Sequence, residues 1–154
     1  MEPRSLEYVA AACEGELLDG PAEALISRVC TDSRQVQAGD LFIALAGEKF
    51  DAHDYLVEVA RKGAAALLIA RAKAGRVSSL SQSIGIIAVD DTRVALGKLA
   101  ARYRQDFHLP VIAVAGSNGK TTTKELLASV LRQKFKTLWS EASFNNDIGV
   151  PLTL

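Results

Sequence analysis

The chain has 154 residues, of which 49% are hydrophobic and 23% charged, a composition typical of a globular protein. Basic and acidic residues both number 18, so there is no charge surplus to favour nucleic acid or a membrane surface as a partner. No apolar run approaches the roughly 20 residues that a membrane-spanning helix needs. We therefore expect a cytoplasmic protein in which Cys13 and Cys30 are reduced and buried.

The first part of the chain alternates helical and strand-like patterns and predicts a small α/β domain. In chain order, we predict a helix over 6–13, strands over 26–30 and 41–45, a helix over 55–60, a strand over 64–69, a surface helix or loop over 71–83 and a strand over 84–89. Asp91 or Thr92 can cap a further helix that runs to Tyr103. We assign residues 1–90 to this domain and 91–108 to a linker helix.

A second α/β domain is predicted to begin at residue 109. The apolar run 111–115 is typical of a parallel strand that is buried on both faces. A helix from Lys120 to about Gln133 and a strand near 136–139 follow. Because these elements are too few to bury a parallel sheet, we expect residues 109–154 to be the start of a larger domain in a longer protein.

A phosphate-binding loop (P-loop) joins the predicted strand and helix of this second domain. Gly116 and Gly119 allow a tight turn, so that the backbone N–H groups of 116–122 can converge on phosphate oxygens at the start of a helix. The Lys120 ammonium can reach the β- and γ-phosphates, and the Thr121 hydroxyl is placed to bind Mg²⁺. Val114 stands where the common motif has its first glycine, so the loop is a short variant.

We interpret this loop as a site for ATP with Mg²⁺. The nucleotide-binding residues would be Gly116, Ser117, Asn118, Gly119, Lys120, Thr121 and Thr122. Lys120 would also be catalytic, because its charge can stabilise a phosphoryl group during transfer, and Thr121 would be a metal ligand. The alternative is a glycine turn that only caps a structural helix.

Three other stretches carry a resemblance to a known family. They are Thr31-Asp32-Ser33-Arg34, the run 39–55 that contains Asp-Leu-Phe-Ile-Ala-Leu and Asp-Ala-His-Asp-Tyr, and the ending Asn145-Asn146-Asp147-Ile148-Gly149-Val150-Pro151. Together with the short P-loop, they resemble the Mur ligases, the ATP-dependent amide-bond-forming enzymes of peptidoglycan precursor synthesis. The match extends from about Leu25 to Leu154 and would cover the first third of a family member. Ala52 departs from the family pattern, which has glycine there.

The resemblance implies a UDP-binding first domain followed by the ATP-binding domain. Its substrate-binding candidates are Ser33, Arg34, His53, Asn145 and Asn146. Each has a structural alternative: a simple turn for Ser33 and Arg34, a brace within its own loop for His53, and a turn before residue 149 for the two asparagines.

The resemblance also implies a reaction. The ending and the Gly-Ser-Asn-Gly loop are most similar to the member that joins D-alanyl-D-alanine to UDP-N-acetylmuramoyl-tripeptide through an acyl phosphate. These two small molecules are the expected partners of a monomeric enzyme, and the chain alone is expected to be inactive. Two alternatives stay open: a ligase that adds the third peptide residue, and a UDP-sugar-peptide binding module without catalysis.

Overall fold

The computed structural model describes residues 1–77, 80, 84–140 and 146–154. The strands are β1 (Arg4–Ser5), β2 (Glu16–Asp19), β3 (Leu25–Ile26), β4 (Val29–Cys30), β5 (Leu41–Ile43), β6 (Ala66–Ala70) and β7 (Gly85–Val89). The helices are α1 (Leu6–Cys13), α2 (Leu56–Arg61), α3 (Thr92–Gln105), α4 (Lys120–Leu131) and α5 (Gly149–Thr153), with 3-10 helices at Ala52–Tyr55 and Arg71–Val77.

The centre of the first unit is a five-stranded sheet with the order β2-β7-β6-β5-β4. The four strands β4 to β7 are parallel to one another, and β2 pairs with β7 in antiparallel orientation at one edge. β1 and β3 form a separate antiparallel pair. The predicted α/β class with a parallel-rich sheet is confirmed.

The side chains of the parallel strands alternate between two apolar layers, as the two-residue period of a strand requires. Leu41 and Ile43 of β5 pack with α1 and α3 on one face, and Phe42 packs with α2 on the other. The helix α3 contributes Leu96 and Leu99 to the first of these layers. The helix predicted as a linker is therefore also part of the core of the first unit.

Two helices of the first unit, α1 and α3, begin where the sequence places capping side chains. The Ser5 hydroxyl accepts a hydrogen bond from the Tyr8 N–H at the start of α1, and the Asp91 carboxylate accepts from the N–H groups of Arg93 and Val94 at the start of α3. Such caps satisfy N–H groups that have no acceptor within the helix. Within the described ranges, no helix is long and apolar enough to cross a membrane.

An ion pair with a buried carboxylate holds the amino ends of β4 and β5 together. The side chain of Asp40 is 3% exposed and accepts hydrogen bonds from Arg28 Nε at 2.7 Å and Nη2 at 2.5 Å. The Gln37 N–H donates to the same carboxylate at 2.7 Å. Together these bonds fix the loop that connects the two strands.

Several local predictions differ from the structure. The strand predicted over 26–30 is two short strands, β3 and β4, which belong to different sheets, and β1 was not predicted. The edge strand β2 was not predicted, since its four residues lie between Gly15 and Gly20 and only alternate ones are partly buried. The predicted strands at 111–115 and 136–139 are wrong: neither segment is in a strand, and Val111 and Ile112 are 58% and 59% exposed. A parallel strand needs a hydrogen-bonded neighbour, and neither segment joins the five-stranded sheet.

Candidate functional site

The P-loop has the backbone shape that its glycines predict. Gly116 and Gly119 have φ angles of +144° and +76°, in a range that other residues rarely adopt. A Cβ atom at Gly119 would meet no atom within 4 Å, so the conformation rather than the space requires glycine there. Substitution by any residue with a side chain would strain the loop.

The loop leads directly into α4, whose first turn is exposed. Gly119 is the N-cap of this helix, and the Thr123 N–H donates to the Gly119 carbonyl at 2.8 Å. The N–H groups that precede Thr123 in such a turn have no acceptor within the helix and carry its positive dipole end. Ser117, Asn118, Thr121 and Thr122 are also exposed here. The arrangement can bind an anion.

The Lys120 ammonium lies across this loop. Its Nζ donates to the Gly116 carbonyl at 2.7 Å and to the Ser117 carbonyl at 3.1 Å. These two contacts hold the positive charge against the turn that precedes α4. A phosphate bound there would replace one or both carbonyls as the hydrogen-bond acceptor of the ammonium.

The Thr-Asp-Ser-Arg segment forms a turn after β4. Arg34 donates to the Asp32 carboxylate from Nε at 2.9 Å and from Nη2 at 2.7 Å, while its side chain stays 85% exposed. Hydrogen bonds from Arg34 hold the pKa of Asp32 well below its usual range. The Ser33 carbonyl accepts from Lys62 Nζ at 2.8 Å. Asp32 therefore orients an exposed guanidinium, and Lys62 fixes the turn from α2.

His53 is buried and both of its ring nitrogens bind protein groups. Nε2 accepts a hydrogen bond from the Ala70 N–H at 2.9 Å, so Nδ1 carries the proton and donates to Asp51 at 2.5 Å. Burial alone would raise the pKa of Asp51, but hydrogen bonds from His53 and Lys73 outweigh it and hold the pKa at about 2. These contacts correspond to the bracing alternative for His53.

The ending of the chain packs against the first unit. Asn146 Oδ1 accepts from two backbone N–H groups of the next turn, at 3.2 and 2.7 Å, which corresponds to the structural alternative for this side-chain oxygen. Asp147 pairs with Arg93 of α3 at 3.0 Å, and Ile148 packs against the core. Asn145 lies outside the described residues.

The described candidate residues thus lie in three places. One is the P-loop with the first turn of α4, and another is Asn146, just before α5. The third consists of the loops that follow the carboxyl ends of β4 and β5, the edge at which parallel α/β sheets bind ligands. Among the described residues, no cluster of three or more His, Cys, Asp or Glu side chains could hold a metal.

Sequence reasoning assigned no role to Asp51 or Lys73. The Asp-x-His spacing was a usable signal, because an aspartate two residues before another residue often accepts its backbone N–H. The pairing of Lys73 with Asp51, at 3.1 Å, depends on the tertiary fold. Both cysteines are buried as expected, and burial raises the pKa of Cys13 to about 12. That thiol is therefore a poor nucleophile.

Two family models match the chain. Residues 25–104 match the model described as "Mur ligase family, catalytic domain", and residues 114–154 match the "Mur ligase middle domain". The second match includes the P-loop, and the first includes the turn after β4 and the loop of His53.

Individual relatives agree with these matches. UDP-N-acetylmuramoyl-tripeptide–D-alanyl-D-alanine ligase of Escherichia coli is 44% identical over 97% of this chain and 31% of its own length. MurF of Acinetobacter baumannii has a TM-score of 0.85 at 39% identity, with 99% of this chain and 33% of that one covered. MurF of Thermotoga maritima, solved with ADP, has a TM-score of 0.71 at 35% identity, with coverage of 82% and 28%.

The chain spans about a third of the length of these relatives. The family model that matches residues 25–104 alone covers more than half of this chain. The chain belongs to the Mur ligase family.

Proposed function

We propose that the chain provides the UDP-muropeptide site and the P-loop of an ATP-dependent ligase that joins D-alanyl-D-alanine to UDP-N-acetylmuramoyl-tripeptide. The observation that carries this proposal is the P-loop: two positive-φ glycines place Lys120 over the start of α4, in a chain 44% identical to an E. coli ligase named for this reaction. In this proposal, residues 1–90 form the UDP-muropeptide domain, 91–108 the linker helix and 109–154 the first part of the ATP-binding domain of a monomeric, cytoplasmic enzyme.

The reaction would begin with transfer of the γ-phosphoryl group of ATP to the C-terminal carboxylate of the tripeptide. The amine of D-alanyl-D-alanine would then attack the resulting acyl phosphate, and inorganic phosphate would leave as the amide forms. Lys120 would stabilise the charge that develops on the transferred group, while the loop 116–119 and Thr122 would hold the phosphates. This role is electrostatic, so it needs no proton transfer by Lys120.

The first turn of α4 also fits a Mg²⁺ ion. Thr121 is exposed there, next to the lysine that would face the same phosphates. A hydroxyl and phosphate oxygens are the hard ligands that Mg²⁺ prefers. When bound, the ion would neutralise phosphate charge and fix the orientation of the β- and γ-phosphates.

On the other side, Ser33 and Arg34 would bind the nucleotide diphosphate. Arg34 is 85% exposed and already oriented by Asp32, so little side-chain freedom is lost when it binds phosphate. His53 would act indirectly by holding its loop to the end of β6. Asn146 would contribute from the segment that docks on α3, and Asn145, its neighbour in the sequence, would be a further substrate-binding residue.

Calorimetric titration of the chain with ATP–Mg²⁺ and with UDP-N-acetylmuramoyl-tripeptide tests the two sites separately. We expect Lys120→Ala to lose ATP binding and keep the UDP ligand, Ser33→Ala to do the reverse, and the exposed control Lys136→Ala to change neither. Failure of the folded chain to bind either ligand would overturn the proposal.

A chimera tests the reaction. This chain would replace the corresponding segment of the E. coli relative, and we expect phosphate release that requires ATP, the UDP-tripeptide and D-alanyl-D-alanine together. Lys120→Ala in the chimera should reduce the rate at least about 100-fold. Release that depends on a free amino acid instead would favour a ligase for the third residue, and release by the chain alone would contradict its expected inactivity.

A further inference from the structure

The loop after β5 is a short, closed turn with an aromatic ring beside its tip. Ala46 and Asp51 form an isolated antiparallel bridge, and the Gly47 N–H donates to the Phe50 carbonyl at 2.8 Å. The Ala52 N–H donates to the Leu45 carbonyl at 3.0 Å and closes the base of the turn. Backbone hydrogen bonds therefore define the conformation of the tip.

The base of this loop is fixed to the sheet. Asp51 accepts from the backbone N–H and the ring of His53, and His53 accepts from the N–H of Ala70 at the end of β6. Lys73 adds an ion pair with Asp51 from the next segment at 3.1 Å. The buried His53 side chain thus connects the base of this turn, which follows β5, to the end of β6.

The side chain of Phe50 is nevertheless in solvent. It is 74% exposed, although the same loop contributes Leu45 and Ala52 to the two apolar layers. An exposed aromatic ring contributes little to folding, whereas a ring carried by a hydrogen-bonded turn loses little backbone entropy when a flat ligand stacks on it. The ring is therefore better suited to recognition than to packing.

The register of the sheet places this loop beside the turn that carries the diphosphate candidates. Cys30 of β4 pairs with Phe42 of β5 in parallel, so both loops leave the sheet at its carboxyl edge. The first turn offers the exposed Arg34 guanidinium and the second an exposed aromatic face. A cation and an aromatic ring on neighbouring loops match a nucleotide, whose phosphates are anionic and whose base is flat.

We propose that Phe50 is the stacking platform for the uracil base of the UDP-muropeptide. The inference rests on the proposed function, since it assumes that the nucleotide binds at this edge of the sheet. Stacking on an aromatic ring contributes substantially to affinity and depends on the π face rather than on hydrogen-bond donors. Phe50 is thus a determinant of nucleotide affinity that is separate from the phosphate contacts of Ser33 and Arg34.

NMR titration of the chain with UDP tests the proposal. In the wild type, the uracil H5 and H6 resonances should move upfield, because protons above an aromatic face are shielded by its ring current. Phe50→Ala should remove this shift and weaken UDP binding about 10-fold or more. Phe50→Tyr should keep both, and Phe50→Leu should lose the shift while keeping part of the affinity. Phe135→Ala, which removes another exposed ring, is the matched control.

The outcomes separate this inference from the proposed function. If UDP binding weakens in Ser33→Ala but is unchanged in Phe50→Ala, the proposed nucleotide site stands and the stacking role is overturned. Equal losses for Phe50→Ala and Phe135→Ala would also overturn it. Absence of UDP binding to the folded wild type would overturn the nucleotide site and the stacking role together. Thermal melts of all variants should coincide, because both rings are exposed.

Discussion

Replacing Arg28 by methionine should destabilise the chain far more than replacing Arg34 by methionine, although both arginines bind an aspartate through the same two atoms. Arg28 Nε and Nη2 lie 2.7 and 2.5 Å from the Asp40 oxygens, and those of Arg34 lie 2.9 and 2.7 Å from the Asp32 oxygens. The carboxylates differ in burial: the Asp40 side chain is 3% exposed and the Asp32 side chain 29%. Burial, not geometry, should decide the cost.

The magnitude follows from the buried carboxylate. In Arg28→Met, Asp40 keeps the Gln37 N–H at 2.7 Å but loses its counterion. Removing one partner of a buried pair costs about 3–5 kcal/mol. Because the Arg28 side chain is 40% exposed, water can reach part of the gap, and we expect a value of about 3 kcal/mol. In a chain of this size that lowers Tm by about 6–12 °C. Arg34→Met should not change stability measurably.

Urea unfolding and native-state hydrogen exchange at residues 41–43 measure these differences. A second substitution isolates the cause: adding Asp40→Asn to Arg28→Met removes the buried charge and should recover part of the lost stability. If the double variant is no more stable than Arg28→Met, or if Arg28→Met and Arg34→Met lose equal amounts, then a stranded buried charge is not the reason for the destabilisation.

Three further perturbations test the site and the core. Lys120→Met should leave the helical circular dichroism unchanged while ATP binding falls, and a loss of helix would instead assign the lysine a structural role. The Asp51 pKa of about 2 lies below the ordinary value of about 3.9, so its contribution to stability should be complete above pH 5 and disappear as the pH falls from about 4 through 2; the difference between the wild type and Asp51→Asn should shrink over that range, and a constant difference would contradict the assignment. Gly85→Ala should cost about 1–3 kcal/mol, because the new Cβ would lie 2.3 Å from a methyl of the buried Leu6, whereas Gly97→Ala, with nothing within 4 Å, should stabilise α3 by up to about 1 kcal/mol. Thermal or urea melts of the two alanine variants would refute this packing argument if both moved in the same direction.

The elements that the sequence predicted best are those that pack on one sheet. The helices α1 and α3 have apolar stripes and capping residues, and β5 to β7 have apolar runs buried on both faces, so local pattern and tertiary environment agree. Residues 111–115 have the same composition as β6 and β7 but no paired neighbour in the described part of the chain. Composition predicts the tendency to form a strand, but only a partner strand supplies the hydrogen bonds.

The candidate site divides in a similar way. The positive φ angles of Gly116 and Gly119 were predictable, because the motif has a local geometric meaning. A bracing role for His53 was one of two alternatives, but its partner was not predictable, because that partner is an N–H group 17 residues away at the end of another strand. Local motifs therefore predict the backbone conformation of a loop better than they predict the tertiary partners of its polar residues.

This difference explains how the carboxyl edge of the sheet can combine rigidity with exposed ligand groups. His53 is buried and uses both ring nitrogens within the protein, whereas Arg34 and Phe50 are exposed and are held in place by their loops. Burying a polar group without hydrogen-bond partners costs free energy. A buried polar side chain such as His53 can therefore stabilise a loop only when all of its hydrogen-bonding atoms have partners. The exposed residues can then exchange water for a ligand at little cost in ordering. In the proposed site, recognition and support would thus belong to different residues of the same two loops, and a substitution in either set should weaken binding for a different physical reason.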